Sequence, residues 1–260
     1  MELTTYIVIC TVALLASALT FFSGFGLGTL LLPAFAFFFP IDRAVALTAV
    51  VHLLNGLFKV ALVGRGADRG VVLRFGLPAI AASFLGAWTL LQLTDIAPLG
   101  SYRAFGREWF VTPVKLTIGL LLMAFASIEI VPRLREMSFG PRLMPVGGIL
   151  SGFFGGLSGM QGALRSAFLV RAGLSKEAFV ATGVVIGCII DLSRIGVYSA
   201  AWVGVEDRLD YGLLTAAVAA AFAGAILGNR LLKKVTMLGV QRLVAGLLFV
   251  VAAGLIAGML

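Results

Sequence analysis

Apolar residues in this chain form ten long runs, separated by short polar or glycine-rich segments. The runs cover residues 5–23, 26–40, 44–64, 71–93, 112–131, 144–157, 159–170, 178–203, 210–230 and 240–260. Several of them, such as 113–131 and 240–260, are about 20 residues long, which is enough for a helix to cross a bilayer core of ~30 Å. The pattern therefore predicts an all-α polytopic membrane protein without a separate extramembrane domain.

The first two runs of each half of the chain are separated only by glycines. The segment between Arg142 and Arg171 is too short for two complete helical crossings at about 1.5 Å per residue. We therefore interpret residues 144–170 as a broken, re-entrant hairpin and residues 5–40 as its longer counterpart. Each half of the chain then contains one glycine-broken hairpin and three spanning helices.

The two halves also share short sequence matches that occur in the same order. Four pairs of segments match, namely 22–26 with 154–158, 30–35 with 163–168, 75–87 with 211–225, and 115–121 with 242–248. Weak internal symmetry in an apolar, glycine-interrupted chain is typical of secondary transporters that are built from repeats. We predict a first transmembrane repeat over residues 1–135 and a second over residues 136–260, both within one membrane domain.

The basic residues of the loops predict the orientation of these repeats. If each hairpin enters and leaves on one side, twelve Lys and Arg residues lie on one face and five on the other. The smaller set is Arg43, Arg103, Arg107, Lys115 and Arg208. The positive-inside rule then places both termini outside the cytoplasm. Each half makes an odd number of crossings in this arrangement, so the two repeats are inverted relative to each other.

Composition excludes several classes of function. Charged residues make up only 12% of the chain. Its single histidine and its two cysteines lie in three different apolar runs, and Asp191 is the one carboxylate deep within a run. A metal site or an enzyme nucleophile needs clustered groups of these types, so we predict no cofactor, no metal and no enzymatic activity. The net charge of +8 belongs to the loops, which indicates membrane topology rather than nucleic-acid binding.

Glycines flank both predicted helix breaks and point to a binding site there. A helix that is broken within the membrane exposes backbone N–H groups, which lipid cannot satisfy. The start of its second half therefore suits a small oxyanion. The glycines that we assign to this site are Gly24, Gly26 and Gly28 at the first break and Gly156, Gly159 and Gly162 at the second. Close packing of helices through small residues is the alternative explanation.

Arg165 follows the second glycine cluster and is the strongest single candidate for an anion ligand, because its planar fork matches an oxyanion. The alternative is that it extends to the lipid headgroups. Thr29 and Gln161 are neutral polar residues that we assign to the same site. Arg194 lies three residues after Asp191, so the two share a helix face. They form either a structural ion pair or part of the anion path, in which Asp191 orients Arg194 or takes a proton.

Three polar residues of the third run are candidates for coupling or structural roles. His52 titrates near neutral pH and is able to couple transport to protons, or else is neutral and hydrogen-bonded to Asn55 at i+3. Lys59 occupies roughly the position of Arg194 in the other half, and its place near a helix end favours extension to the headgroups.

The chain resembles the sulfite exporter TauE/SafE family of membrane permeases over essentially its whole length, and two sets of residues carry this resemblance. They are Phe22–Gly28 with Pro33 in the first half, and Gly155–Gly162, Thr182, Asp191, Arg194 and Tyr198 in the second. The chain departs from the commoner glycine-rich run of the family at Phe25 and Leu27. The resemblance implies transport of sulfite, sulfonates or other small organic anions.

We therefore predict a secondary transporter of the cell inner membrane that exports a small anion, sulfite or an organosulfonate, by alternating access between two inverted repeats. An uncoupled anion channel and a permease for a small carboxylate are the alternatives, and a membrane enzyme or a structural subunit fits the residues less well. The expected partners are the anion, the lipid bilayer and a second copy of the chain in a homodimer.

Overall fold

The computed structural model describes residues 2–23, 27–201, 210–231 and 237–260, which form helices and one β-hairpin. The helices of the first half are α1 (Leu3–Ser23), α2 (Leu27–Ala36), α3 (Ile41–Val63), α4 (Arg69–Asp95) and α5 (Pro113–Ile130). The short α6 (Pro132–Arg135) connects them to α7 (Met144–Ser158), α8 (Gly162–Leu169), α9 (Lys176–Ala201), α10 (Tyr211–Leu231) and α11 (Met237–Ile256). The protein is thus an all-α polytopic membrane protein, as predicted.

Four helices in the described part of the chain are long and apolar enough to cross a membrane. They cover Ile41–Gly66, Arg69–Asp95, Lys176–Ala200 and Tyr211–Gly228. Shorter apolar helices cover Leu3–Leu19, Leu27–Ala36, Pro113–Ile128 and Val244–Ile256.

Polar side chains fix where several helices begin. The Asp68 carboxylate accepts a hydrogen bond from the Val71 N–H at 2.8 Å and starts α4. The Asp210 carboxylate accepts one from the Leu213 N–H at 2.9 Å and starts α10. Each such cap satisfies a backbone donor that has no partner within its helix.

Helices α7 and α8 form a hairpin that begins and ends at one end of the bundle. Met144 at the start of α7 and Phe168 near the end of α8 belong to one apolar cluster with Val71 and Phe75 of α4. The Ala167 carbonyl accepts a hydrogen bond at 3.0 Å from the N–H of Phe139, which precedes α7 in the chain. Residues 144–170 therefore fold as the broken hairpin that their length predicts. Helix α1, which opens the predicted longer hairpin, has 21 residues. At 1.5 Å per residue it extends for about 31 Å, which is long enough to cross a bilayer core of ~30 Å.

Helices α3 and α9 run antiparallel to each other, and so do α5 and α11. Along α3 and α9, Gly56 lies against Cys188, while the N–H of Asp68 beyond the end of α3 donates to the Thr182 hydroxyl at 2.9 Å near the start of α9. Gly119 near the start of α5 lies against Ile256 at the end of α11.

Close contacts through glycine join each half to the other. A Cβ added at Gly148, Gly152 or Gly156 of α7 would lie 2.2–2.3 Å from a backbone carbonyl oxygen of α4. A Cβ added at Gly224 or Gly228 of α10 would lie 2.1–2.5 Å from a carbonyl oxygen of α1. Because real Cβ atoms do not approach so closely, only glycine permits these helix separations.

A β-hairpin that the apolar pattern does not predict connects α4 to α5. Its strands are β1 (Gly100–Ala104) and β2 (Arg107–Val111), and they pair antiparallel. The Tyr102 hydroxyl donates to the Ala257 carbonyl at 2.7 Å. The hairpin therefore lies at the same end of the bundle as the C-terminal end of α11.

Candidate functional site

A cavity of about 60 Å³ lies between α3, α8 and α9. The described residues that line it are Leu27, His52, Asn55, Gly56, Lys59, Arg165, Gly183, Val184, Gly187 and Cys188. Since one water molecule needs at least roughly 10–15 Å³, the space has room for a few waters or for a small anion.

Two cationic side chains reach this cavity from opposite halves of the chain. Lys59 of α3 is only 7% exposed, so it lies inside the bundle and does not extend to the headgroups as its sequence position favours. Arg165 of α8 donates from Nη1 to the Gln161 side-chain oxygen at 3.1 Å. Its guanidinium also lies against Gly183 and Gly187 of α9, so Arg165 points inward rather than into lipid.

Asp191 is the centre of a buried ionic network beside the cavity. Asp191 and Arg194 are both 0% exposed, and the Oδ1 atom of Asp191 lies 3.0 Å from Nε and 2.8 Å from Nη2 of Arg194. Gln161 donates from Nε2 to the same oxygen at 3.3 Å. The ion pair that the three-residue spacing predicts is thus present within α9, and the hydrogen bond from Gln161 connects the start of α8 to it.

His52 of α3 completes this network and connects the two halves of the chain. Its Nδ1 pairs with Oδ2 of Asp191. Because an ionised carboxylate only accepts hydrogen bonds, Nδ1 carries the proton in this pair. Asn55 is not the partner of His52, since its side-chain oxygen accepts instead from the Ser17 hydroxyl of α1 at 3.1 Å. Long-range packing of α3 against α9 therefore overrides the local i+3 spacing.

The second helix break lies next to the start of α2. Gly159 has φ +79°, a left-handed conformation that ends α7 and suits glycine. A Cβ added at Gly28 would lie 3.2 Å from the Gly159 carbonyl oxygen, and one added at Gly159 would lie 2.6 Å from Nη1 of Arg194. Thr29, the residue after Gly28 in α2, and Gly162, three residues after Gly159 at the start of α8, are both buried.

Two predicted site residues, Gly24 and Gly26, are outside the described residues. Gly156 lies against the backbone of Ser83 in α4, and its carbonyl accepts a hydrogen bond from the Tyr198 hydroxyl. The position of Gly156 is accounted for by helix packing, and its contact with a substrate stays a prediction.

The structure adds residues that the sequence interpretation missed. Gly183, Gly187 and Cys188 of α9 line the cavity together with Gly56 of α3. The spacing of Gly183 and Gly187 is the small-xxx-small pattern of close helix packing, and this signal was available in the sequence. In the described residues, no group of three or more His, Cys, Asp or Glu side chains is placed to hold a metal ion.

The cavity is electropositive. Lys59 and Arg165 carry one positive charge each, and none of the described lining residues is acidic. A proton on the second ring nitrogen of His52 would add a third positive charge. Such a site attracts an anion, which the guanidinium and ammonium donors are able to hold by charge-assisted hydrogen bonds.

Comparison with known protein families gives one result that covers nearly the whole chain. The family described as "Sulfite exporter TauE/SafE" matches residues 9–255. No curated protein matches the chain. Together with its apolar helices, this match shows that the chain belongs to the sulfite exporter TauE/SafE family of membrane transporters.

Proposed function

We propose that this protein is a secondary transporter that exports a small anion, sulfite or an organosulfonate, and that the cavity between α3, α8 and α9 is its binding site. The observation that carries the proposal is the pair of cations, Lys59 and Arg165, in a cavity without an acidic lining residue in the described part of the chain. The planar fork of Arg165 matches a sulfite or sulfonate group, and Lys59 adds a compact positive charge. No catalytic role is assigned to any residue.

Alternating access would occur between two inverted repeats, residues 1–135 and 136–260. The antiparallel pairing of α3 with α9 and of α5 with α11 supports this arrangement, because equivalent helices of parallel repeats would share one direction. The proposed site lies where the halves meet, since His52 and Lys59 come from one repeat and Arg165 and Asp191 from the other. Rocking of one repeat against the other would change which face the cavity opens to.

Both termini would lie outside the cytoplasm in the inner membrane. The basic loops support this orientation, and the hydrogen bond from Tyr102 to Ala257 supports a common face for the β-hairpin and the C-terminus. Cysteines introduced at Arg103 and Arg142, both exposed, should react with an impermeant maleimide from opposite sides of the membrane. Labelling of both from one side would contradict the orientation. Lys233, another basic residue predicted to be cytoplasmic, lies outside the described residues.

Export agrees with the electrical driving force. An interior-negative potential contributes ~2.3 kcal/mol per elementary charge for each 100 mV towards expelling an anion. A proton on His52 offers one route for coupling, because it would change the charge of the cavity by one unit. The homodimer also stays a proposal, which the mass of the detergent-solubilised protein tests.

Sulfite flux from proteoliposomes that contain only this chain tests the proposed function. We expect flux that saturates with sulfite concentration and that falls at least about tenfold in Arg165→Met. Arg142→Gln removes the same charge from an exposed position and serves as the matched control, with flux unchanged. Absence of flux from correctly inserted wild-type protein would refute the transporter. Single-channel conductance would indicate an uncoupled anion channel instead of a transporter. Preferential flux of a small carboxylate would keep the transporter but refute sulfite or a sulfonate as its substrate.

A further inference from the structure

The charges around the cavity discriminate among sulfonates by the group at their far end. Lys59 and Arg165 both line the cavity, and its described lining contains no carboxylate. Because the space is small, a second functional group of a bound sulfonate lies close to one of these cations. At a separation of about 5 Å, like charges repel substantially even in a medium of effective dielectric constant near 20.

Each oxygen of the acidic residue beside the cavity already has a partner within the protein. In Asp191, Oδ1 accepts from Nε of Arg194 at 3.0 Å and from Nε2 of Gln161 at 3.3 Å. The other oxygen, Oδ2, pairs with Nδ1 of His52. A substrate ammonium would therefore compete with these donors for the negative charge of Asp191.

The amide oxygens near the cavity are also engaged. The side-chain oxygen of Asn55 accepts from the Ser17 hydroxyl at 3.1 Å. The side-chain oxygen of Gln161 accepts from Nη1 of Arg165 at 3.1 Å. The site therefore offers donors and positive charge, while each of these acceptors already has a donor within the protein.

We propose that the cavity selects its substrates by net charge: it binds sulfonates with an anionic or neutral far end and rejects zwitterionic aminosulfonates. This inference rests on the proposed function and assigns a substrate class to the same site. Sulfoacetate, isethionate and taurine form a matched series, because each has a sulfonate on a two-carbon chain and ends in a carboxylate, a hydroxyl or an ammonium group. We expect affinity to fall in that order.

Ligand-dependent thermal stabilisation of the purified wild-type protein measures these affinities at fixed pH and ionic strength. Taurine should bind at least about tenfold more weakly than isethionate, which corresponds to about 1.4 kcal/mol. Equal or tighter binding of taurine would overturn the inference while leaving the transporter in place. Binding of sulfite but of none of the three sulfonates would also overturn it, because size rather than charge would then select. A protein that no anion stabilises, sulfite included, would refute the proposed function itself.

Variants test whether the two cations cause the discrimination. Lys59→Met and Arg165→Met should each reduce the ratio of isethionate to taurine affinity. Arg103→Gln removes the same charge from the exposed β-hairpin and should leave the ratio unchanged. A ratio that stays at its wild-type value in both cavity variants would overturn the assignment of the discrimination to Lys59 and Arg165. The comparison of the three sulfonates on the wild-type protein needs no substitution, so it remains valid if either variant folds poorly.

Discussion

Replacing Asp191 by asparagine removes the negative charge from the centre of the buried network while nearly preserving the shape of the side chain. Arg194 keeps its positive charge in a position that is 0% exposed, and only a neutral amide faces it. His52, whose side chain is 14% exposed, loses the carboxylate that holds its ring. Arg194 has no exposed surface through which solvent could compensate its charge.

The expected cost follows from the burial of Arg194. Removing one partner of a buried ion pair destabilises a protein by about 3–5 kcal/mol, because the remaining charge is left uncompensated. At roughly 2–4 °C for each kcal/mol in a chain of this size, the midpoint of thermal unfolding should fall by about 6–20 °C. The double variant Asp191→Asn/Arg194→Gln should lose less than the sum of the two single changes, since it leaves no buried charge in the pair.

Thermal unfolding in detergent at one fixed scan rate measures these differences, because such transitions are often irreversible and depend on the rate. Asp210→Asn is the matched control, since it makes the same chemical change at a half-buried position at the start of α10. Its midpoint should fall much less than that of Asp191→Asn. Equal shifts in the two variants, or fully additive losses in the double variant, would refute the view that Asp191 compensates a buried Arg194.

Three further predictions concern other parts of the molecule. Gly156→Ala should destabilise the protein by about 1–3 kcal/mol, because its Cβ would lie 2.2 Å from a backbone oxygen of α4. Gly196→Ala is the control and should not destabilise it, since an added Cβ there has nothing within 4 Å. Equal thermal midpoints for the two variants would argue against close packing of α4 and α7. Arg165→Lys should insert normally but bind sulfite about tenfold more weakly, since the bidentate fork is lost; unchanged affinity in a titration would remove Arg165 from the site. The pKa of the Asp210 carboxylate is lowered, mainly by the hydrogen bond that it accepts from the backbone N–H of Leu213. The stability that this carboxylate contributes is therefore present above its unfolded pKa of ~3.9 and is lost as the pH falls through its lower pKa in the folded protein. The midpoint difference between wild type and Asp210→Asn should therefore shrink as the pH is lowered below about 3.9, and a constant difference would contradict this.

The helices were predictable because the bilayer imposes long apolar runs that few other structures require. The run at residues 71–93 corresponds to α4 (Arg69–Asp95), and the short segment at 144–170 becomes the hairpin of α7 and α8. The β-hairpin over residues 100–111 was not predicted, since two short strands outside the apolar runs leave no strong periodic signal.

The site was only partly predictable because most of its contacts join distant parts of the chain. The pairing of Asp191 with Arg194 follows from local helix geometry and is present. The pairing of His52 with Asp191 bridges α3 and α9, so local spacing pointed to Asn55 instead. Lys59 stands near a helix end in the sequence, yet the packing of α3, α8 and α9 encloses it.

Sulfite titration by thermal stabilisation, comparing wild type with Lys59→Met and Arg165→Met, tests most directly whether this cavity is the anion site. A ligand that binds only the folded state stabilises it with the logarithm of its concentration, by about 2.7 kcal/mol at a hundred times Kd. We expect this dependence in wild type and in the exposed control Arg103→Gln, and a shift of the curve to at least about tenfold higher sulfite in each cavity variant. Identical titration curves for wild type and both cavity variants would contradict the assignment of the site to Lys59 and Arg165.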